Sequence, residues 1–214
     1  FISSKLSGTF ESFVHTAKEV KNDLPNFRFA AIDSMTTCME MGWPAIAAAK
    51  AAKTGASLDD CIQAANTSLH STRFVFAPES LLFLQKGGRI GKAAALIGNM
   101  ISLTPVLTVN DGEASTFSKC RTQKKALAKM LQVLGEDTAP SGLKNLVVHY
   151  IGSKAPAAKW AEEKVAPLIG FMPRVVPASP VIGVHVGPAM GIAYECNAPI
   201  PHKFHNSEPE IIVC

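Results

Sequence analysis

The sequence predicts an α/β protein whose sheet is mainly parallel and flanked by helices. Three observations lead there. Apolar runs of strand length alternate with segments of helical period along the chain. At 214 residues it is long enough for one large domain or two small ones. Hydrophobic residues make up 47% and charged residues only 18%, which suggests a large core or an internal apolar pocket. Phe1 is not Met, and Phe1-Ile2 reads as the end of a buried strand, so the first domain is expected to be incomplete at its N-terminus.

The elements follow in order. After Phe1-Ile2, Ser3 to Thr9 form a loop into a helix over Phe10 to Val20, whose apolar face carries Phe10, Phe13, Val14 and Ala17. Ser3, Ser4, Ser7 and Thr9 bring hydroxyls to that turn, beside free amides and the positive end of the helix dipole. A carboxylate or phosphate could be held there, or the turn could be an ordinary serine N-cap. Phe27 to Ile32 is a strand closed by Asp33-Ser34. Met35 to Thr54 is helical, and Ser57 caps a helix running to Ser71 with Asp59 and Asp60 in its first turn. Met35, Met39 and Met41 read as core, although a thioether lining also suits an acyl chain.

Phe74 to Phe76 starts another strand, and Pro78-Glu79 opens a short helix. Ala93 to Ile101 is helical, and Asn110-Asp111-Gly112 between Pro105–Val109 and Ala114–Phe117 is a strong hairpin signal. Arg121 to Leu134 is an amphipathic helix whose basic face carries Arg121, Lys124, Lys125 and Lys129. That face is either solvated or a docking surface for an acidic partner. Asn145 to Tyr150 is a strand, Lys154 to Leu168 a helix with Pro156 in its first turn, and Val175-Val176 and Ile192 to Tyr194 are further strands. His185 is expected at a strand end beside Gly187-Pro188, where ligands often bind. From Asn197 onward the chain has no clear period and reads as a tail.

Several classes are excluded. The net charge of +4 is not gathered in runs, so nucleic acid is not expected as a partner. Five cysteines without CxxC spacing argue for a reducing compartment and against a disulfide framework or zinc site. The uncharged stretches 93–110 and 175–194 contain Pro, Gly and small polar residues and read as buried strands and turns, not membrane spans. The stretch Leu81 to Lys92, LLFLQKGGRIGK, sets three cations among three glycines. Such a stretch can hold an anionic group, or it can be a helix end, a turn and a new helix. It is not a P-loop: only three residues separate Gly87 from Gly91, and Ala93 stands where Ser or Thr would bind Mg²⁺.

Taken together the motifs resemble the DegV family of bacterial fatty-acid-binding proteins. They are ISSKLSGTF at Ile2 to Phe10, AIDS at Ala31 to Ser34, LLFLQKGGRIGKAAALIG at Leu81 to Gly98 and TPVLTVNDGE at Thr104 to Glu113. CRTQKKAL at Cys120 to Leu127 and VIGVHVGPAMGIAY at Val181 to Tyr194 complete the set. The resemblance implies two α/β domains, 1–72 and 73–196, followed by a tail 197–214. It implies a long-chain fatty acid such as palmitate or oleate as ligand, its carboxylate held by Ser7 with Ser4 and by His185. It further implies a non-catalytic, cytoplasmic carrier subunit. That subunit presents the acid to a separate ATP-dependent fatty acid kinase, with transient contact at the membrane surface. Arg89 and Arg121 would then serve the head group, the kinase or the membrane. No metal or cofactor is expected.

Three departures stand out. The aspartate–serine–threonine strand end and the Thr-Ser-Gln-Pro loop of full-length members are absent, and FAPES precedes Leu81 where the family has an acidic pair. Two alternatives remain: a regulatory or scaffolding module that has lost lipid binding, and an acyl hydrolase using Ser7 with His185. There is no GxSxG for the latter.

Overall fold

The computed structural model describes residues 1–201 and 208–214. Its core is a six-stranded sheet of order β4-β3-β2-β7-β5-β6. The strands are β2 (Thr72–Pro78), β3 (Thr104–Asn110), β4 (Glu113–Cys120), β5 (Leu143–Ile151), β6 (Arg174–Pro177) and β7 (Ala189–Cys196). A two-stranded antiparallel sheet joins β1 (Ala30–Ile32) to β8 (Ile211–Val213). The helices are α1 (Thr9–Asp23), α2 (Cys38–Lys53), α3 (Leu58–His70), α4 (Leu82–Lys86), α5 (Gln123–Thr138), α6 (Lys154–Trp160), α7 (Ala166–Ile169) and α8 (Pro180–Val186). A 3₁₀ segment covers Gly91–Ser102, and a π turn, Ala161–Val165, joins α6 to α7.

The α/β class is as expected, but the sheet is not mainly parallel. Only β5 and β6 run parallel; every other pairing in the large sheet is antiparallel. Two connections and one insertion account for this. β5 and β6 are joined by the helical crossover Lys154–Ile169, as a parallel pair requires. β3 and β4 are joined by the tight turn Asp111-Gly112, which reverses the chain. β7 enters between β2 and β5 and runs opposite to both. Alternation of strands and helices therefore signals covered faces, not strand direction.

Two further expectations need correction. The region read as a tail contributes β8, paired Ile32 to Ile211 and Ala30 to Val213; His202 and His205 of that tail lie outside the described residues. His185 is not at a strand end: it sits in the last turn of α8. Ser179 caps that helix, accepting from the Ile182 amide, and Pro180 is pre-set for its first turn. Cap and proline outweigh the strand preference of VIGVHV. Phe1-Ile2 keeps its expected strand-like path beside β1. The Phe1 terminal amine donates to the Ile32 carbonyl at 2.7 Å, and the Ser34 amide donates to the Phe1 carbonyl at 3.1 Å.

The large sheet has two unlike faces. On one, α5 and α6 with the π turn pack Met130, Leu134, Trp160 and Val165 against Val148, Ile192 and Tyr194. On the other, α4, α8 and the start of α2 stand over Phe74, Phe76, Val147 and Ala193. Among the described residues no helix is long and apolar enough to cross a membrane.

Candidate functional site

The second face is hollow. A cavity of about 550 Å³ lies between the sheet and the elements that cover it. Its floor includes Phe74 and Phe76 from β2, Gly191 from β7, and His149 and Ile151 from β5. Phe76, Gly191 and His149 stand in register across three strands. A Cβ at Gly191 would meet the Phe76 Cβ and the Val75 carbonyl oxygen, each at 2.7 Å. Only glycine lets the Phe74 and Phe76 rings, stacked at 5.0 Å, lie over this point. Cys38, Met39 and Met41 of α2 and Val181 and Ile182 of α8 close the sides. Val181 is 68% exposed, so the cavity reaches the surface beside α8.

Three sequence-selected residues meet at this cavity: Ser7, Arg89 and His185 all line it. Ser7 is carried on a tight loop, in which the Leu6 and Ser7 amides both donate to the Ser3 carbonyl, at 2.9 and 3.0 Å. Helix α1 starts from Gly8 and has no side-chain cap. The Ser7 hydroxyl is therefore not spent as an N-cap, and Thr9 of the first turn also lines the cavity. Asp33 fixes the loop from behind, its carboxylate accepting from the Ser4 amide at 3.2 Å and the Met35 amide at 2.8 Å.

The glycine stretch is a helix end followed by a turn. α4 stops at Gly87, and Gly88 and Gly91 have φ of +69° and +49°. Arg89 folds back: Nη1 donates to the Gly87 carbonyl at 2.7 Å and Nε to the Leu6 carbonyl at 3.2 Å. It thereby ties the glycine stretch to the serine loop while its charge lines the cavity. His185 lies against Gly87, where a Cβ would come within 2.5 Å of Nδ1. That Nδ1 is buried and has no hydrogen-bond partner among the described residues. Nδ1 is thus packed onto Gly87, and it is the rest of the ring that lines the cavity.

A model of the DegV family, described as uncharacterised proteins, matches residues 1–197. The chain belongs to the DegV family. It is 43% identical to a DegV domain-containing protein of Clostridium acetobutylicum, over 91% of this chain and 68% of that relative. Among solved structures it resembles Bacillus subtilis DegV, described as a fatty acid binding protein, with 29% identity and a TM-score of 0.74. That match covers 91% of this chain and 68% of the other. A DegV family protein from Thermus thermophilus, described by its fatty acid binding, matches with 25% identity and a TM-score of 0.72, over 91% of this chain and 69% of the other.

Two of the residues selected through the DegV motifs do not line the cavity. Ser4 offers its amide to Asp33 instead. Arg121 is exposed at the end of β4, where the chain turns into α5 on the filled face.

His149 also lines the cavity and was missed. His149 is 6% exposed; its Nε2 faces the Met39 amide at 3.4 Å and its Nδ1 the Val176 carbonyl at 3.3 Å. The neutral tautomer with hydrogen on Nδ1 satisfies both contacts. Burial lowers its pKa, partly opposed by the Val176 carbonyl. His149 thus caps the first turn of α2. Its sequence signal was phase: it lies in step with Val147 and Ile151, which face the same side.

Cys38, beside it, is an inert wall residue, its thiol pushed up to about 12 by burial. The described residues contain no group of three or more His, Cys, Asp or Glu able to hold a metal.

Proposed function

We propose that this chain binds a long-chain fatty acid in the cavity, with Ser7 and His185 on its carboxylate and Arg89 supplying positive charge beside it. One observation carries the reading. The cavity wall is apolar over most of its extent, and Ser7, Arg89 and His185 all lie along it, linked to one another through Gly87 and Leu6. An acyl chain gains about 0.8 kcal/mol for each buried CH₂. Its carboxylate would be costly to bury without donors, and the Ser7 hydroxyl and the His185 ring, both at the cavity wall, are donors of the right kind. The relatives described as fatty acid binding proteins support the same ligand class.

The reading extends to a non-catalytic cytoplasmic carrier that presents the acid to a separate kinase subunit for acyl-phosphate formation. Residues 1–72 and 73–196 act in it as two units on either side of the ligand. The exposed basic start of α5, with Arg121, Lys124 and Lys125, suits an acidic face on such a partner. Leu82, Phe83, Val181 and Val184, all exposed on α4 and α8, suit transient contact with a membrane surface at the cavity opening. A hydrolase is disfavoured because, among the described residues, no Asp or Glu lines the cavity to orient His185 toward Ser7.

The test is native mass spectrometry of the purified chain, followed by solvent extraction and fatty-acid analysis. We expect one long-chain acid per chain, lost when Ser7→Ala and His185→Ala are combined. A ligand-free mass that persists after adding palmitate or oleate would overturn the assignment.

A further inference from the structure

Two of the head-group residues, Ser7 and Arg89, stand on loops far apart in sequence, and a third element touches both loops. This is the β3–β4 turn, in which Asp111 and Gly112 have φ of +50° and +81°, the type I′ pattern that joins strands most tightly. Toward the serine loop, the Gly112 carbonyl accepts from the Ser3 hydroxyl and the Asp111 carbonyl from Lys5 Nζ, both at 2.8 Å. A Cβ at Gly112 would lie 2.7 Å from the Ser3 oxygen, so the approach requires glycine. Toward the glycine stretch, the Asp111 carboxylate holds Lys92 Nζ at 2.8 Å. Gly91 lies so close to Ala114 that a Cβ would come within 2.8 Å of its carbonyl oxygen.

Ser3 is the pivot of the Ser7 loop. It is fully buried, and its carbonyl receives the Leu6 and Ser7 amides. Lys92 follows directly on the GGRIG turn that carries Arg89. Asp111 is 4% exposed, although it occupies the tip of a hairpin, where an aspartate would ordinarily be solvated. The turn is thus buried between the two loops and fixes both at once.

We propose that the Asp111-Gly112 turn is the positioning element of the head-group site, holding Ser7 and Arg89 in register with each other so that both meet one carboxylate. The inference rests on the fatty-acid reading and adds residues that make no contact with the ligand. A turn that merely stabilised the fold would, when weakened, lower affinity for every ligand of the cavity alike. A turn that positions the head-group site controls discrimination between an acid and a neutral ligand with the same tail.

The experiment is calorimetric titration of the full chain with laurate and with dodecanol, comparing the ratio of their dissociation constants. Asp111→Asn tolerates the positive φ and removes the ion pair with Lys92. Ser3→Ala removes the tie to Gly112, and Lys92→Met, at an exposed position, is the variant least able to disturb folding. Val165→Ala on the opposite sheet face serves as a control for lost stability. We expect the wild type to prefer laurate. The preference should drop about tenfold in Ser3→Ala and Asp111→Asn, the scale of one charge-assisted hydrogen bond, and by a smaller factor in Lys92→Met. Val165→Ala should leave it unchanged.

An unchanged ratio in the three loop variants would overturn the proposal. So would equal weakening of both ligands, which would mark the turn as structural only. A wild type with no preference for the acid would instead overturn the carboxylate reading and remove this inference with it.

Discussion

The two faces of the six-stranded sheet use the same strands and end differently. On one face, α5 spans 16 residues and buries Ala126, Met130, Val133 and Leu134. The run from α6 through the π turn adds Trp160, Ala161 and Val165. Long helices lay a continuous apolar stripe along the strands, and the face fills. On the other face the covering helices α4 and α8 have only five and seven residues, the 3₁₀ segment adds Ala93 and Leu96, and α2 meets the sheet through its first turns. Short covers leave the space between them open, here about 550 Å³. A void of that size is far beyond the packing defects of a normal core. The two faces divide the labour: one supplies stability, and the other gives up packing for a cavity that, in the proposed function, holds the ligand.

The largest effect should come from breaking the filled face. Met130 is fully buried in α5 against the sheet, and Met130→Ala should cost about 2–5 kcal/mol, the usual cost of such a truncation. Urea melts of the ligand-free chain measure it. The loss should be the same with and without added palmitate, because the substitution does not touch the cavity. A loss that palmitate reverses would mean that the two faces are not independent.

An intermediate effect should come from His149, which ties the hollow face to α2. Its folded-state pKa is depressed, chiefly by burial. The unfolded chain therefore takes up a proton at higher pH than the folded one. The stabilisation from neutral His149 is fully present above the unfolded value of about 6.5 and fades as the pH falls below it. His149→Gln keeps a side-chain acceptor for the Met39 amide but cannot titrate. Urea midpoints between pH 8 and pH 5 should fall for the wild type and stay flatter for the variant. Parallel pH curves for the two proteins would remove His149 as the source of the dependence.

Local chemistry was legible in the sequence wherever it decides structure over a few residues. Ser57 does cap α3, in a capping box with Asp60, and Asn110-Asp111-Gly112 does turn a hairpin. Ser7, Arg89 and His185 were chosen by residue type and motif, and the fold carries all three to one cavity. What failed depends on distant partners. Strand direction depends on where each strand is inserted, as β7 runs opposite to both β2 and β5, β8 exists only because β1 offers an edge, and α8 forms because Ser179 and Pro180 favour a helix over the local β-branched run. His149 was overlooked because a histidine within VVHY reads as core until the opposite wall is known to be missing.

The smallest effect sharpens the comparison most. Met41 lines the cavity on the hollow face and is only partly buried. Met41→Leu conserves volume, so stability should change by less than about 1.5 kcal/mol. Leucine is branched and has fewer rotatable bonds than the thioether chain it replaces, so it adapts less well to the outline of a bound tail. The variant should therefore discriminate more strongly between palmitate and the bent chain of oleate, while urea melts remain close to wild type. Competition between the two acids, read by mass spectrometry of the bound fraction, measures this. A Met41→Leu protein with wild-type preference would place the acyl chain away from α2, leaving the wall formed by α8 and the Phe74–Phe76 pair to set its shape.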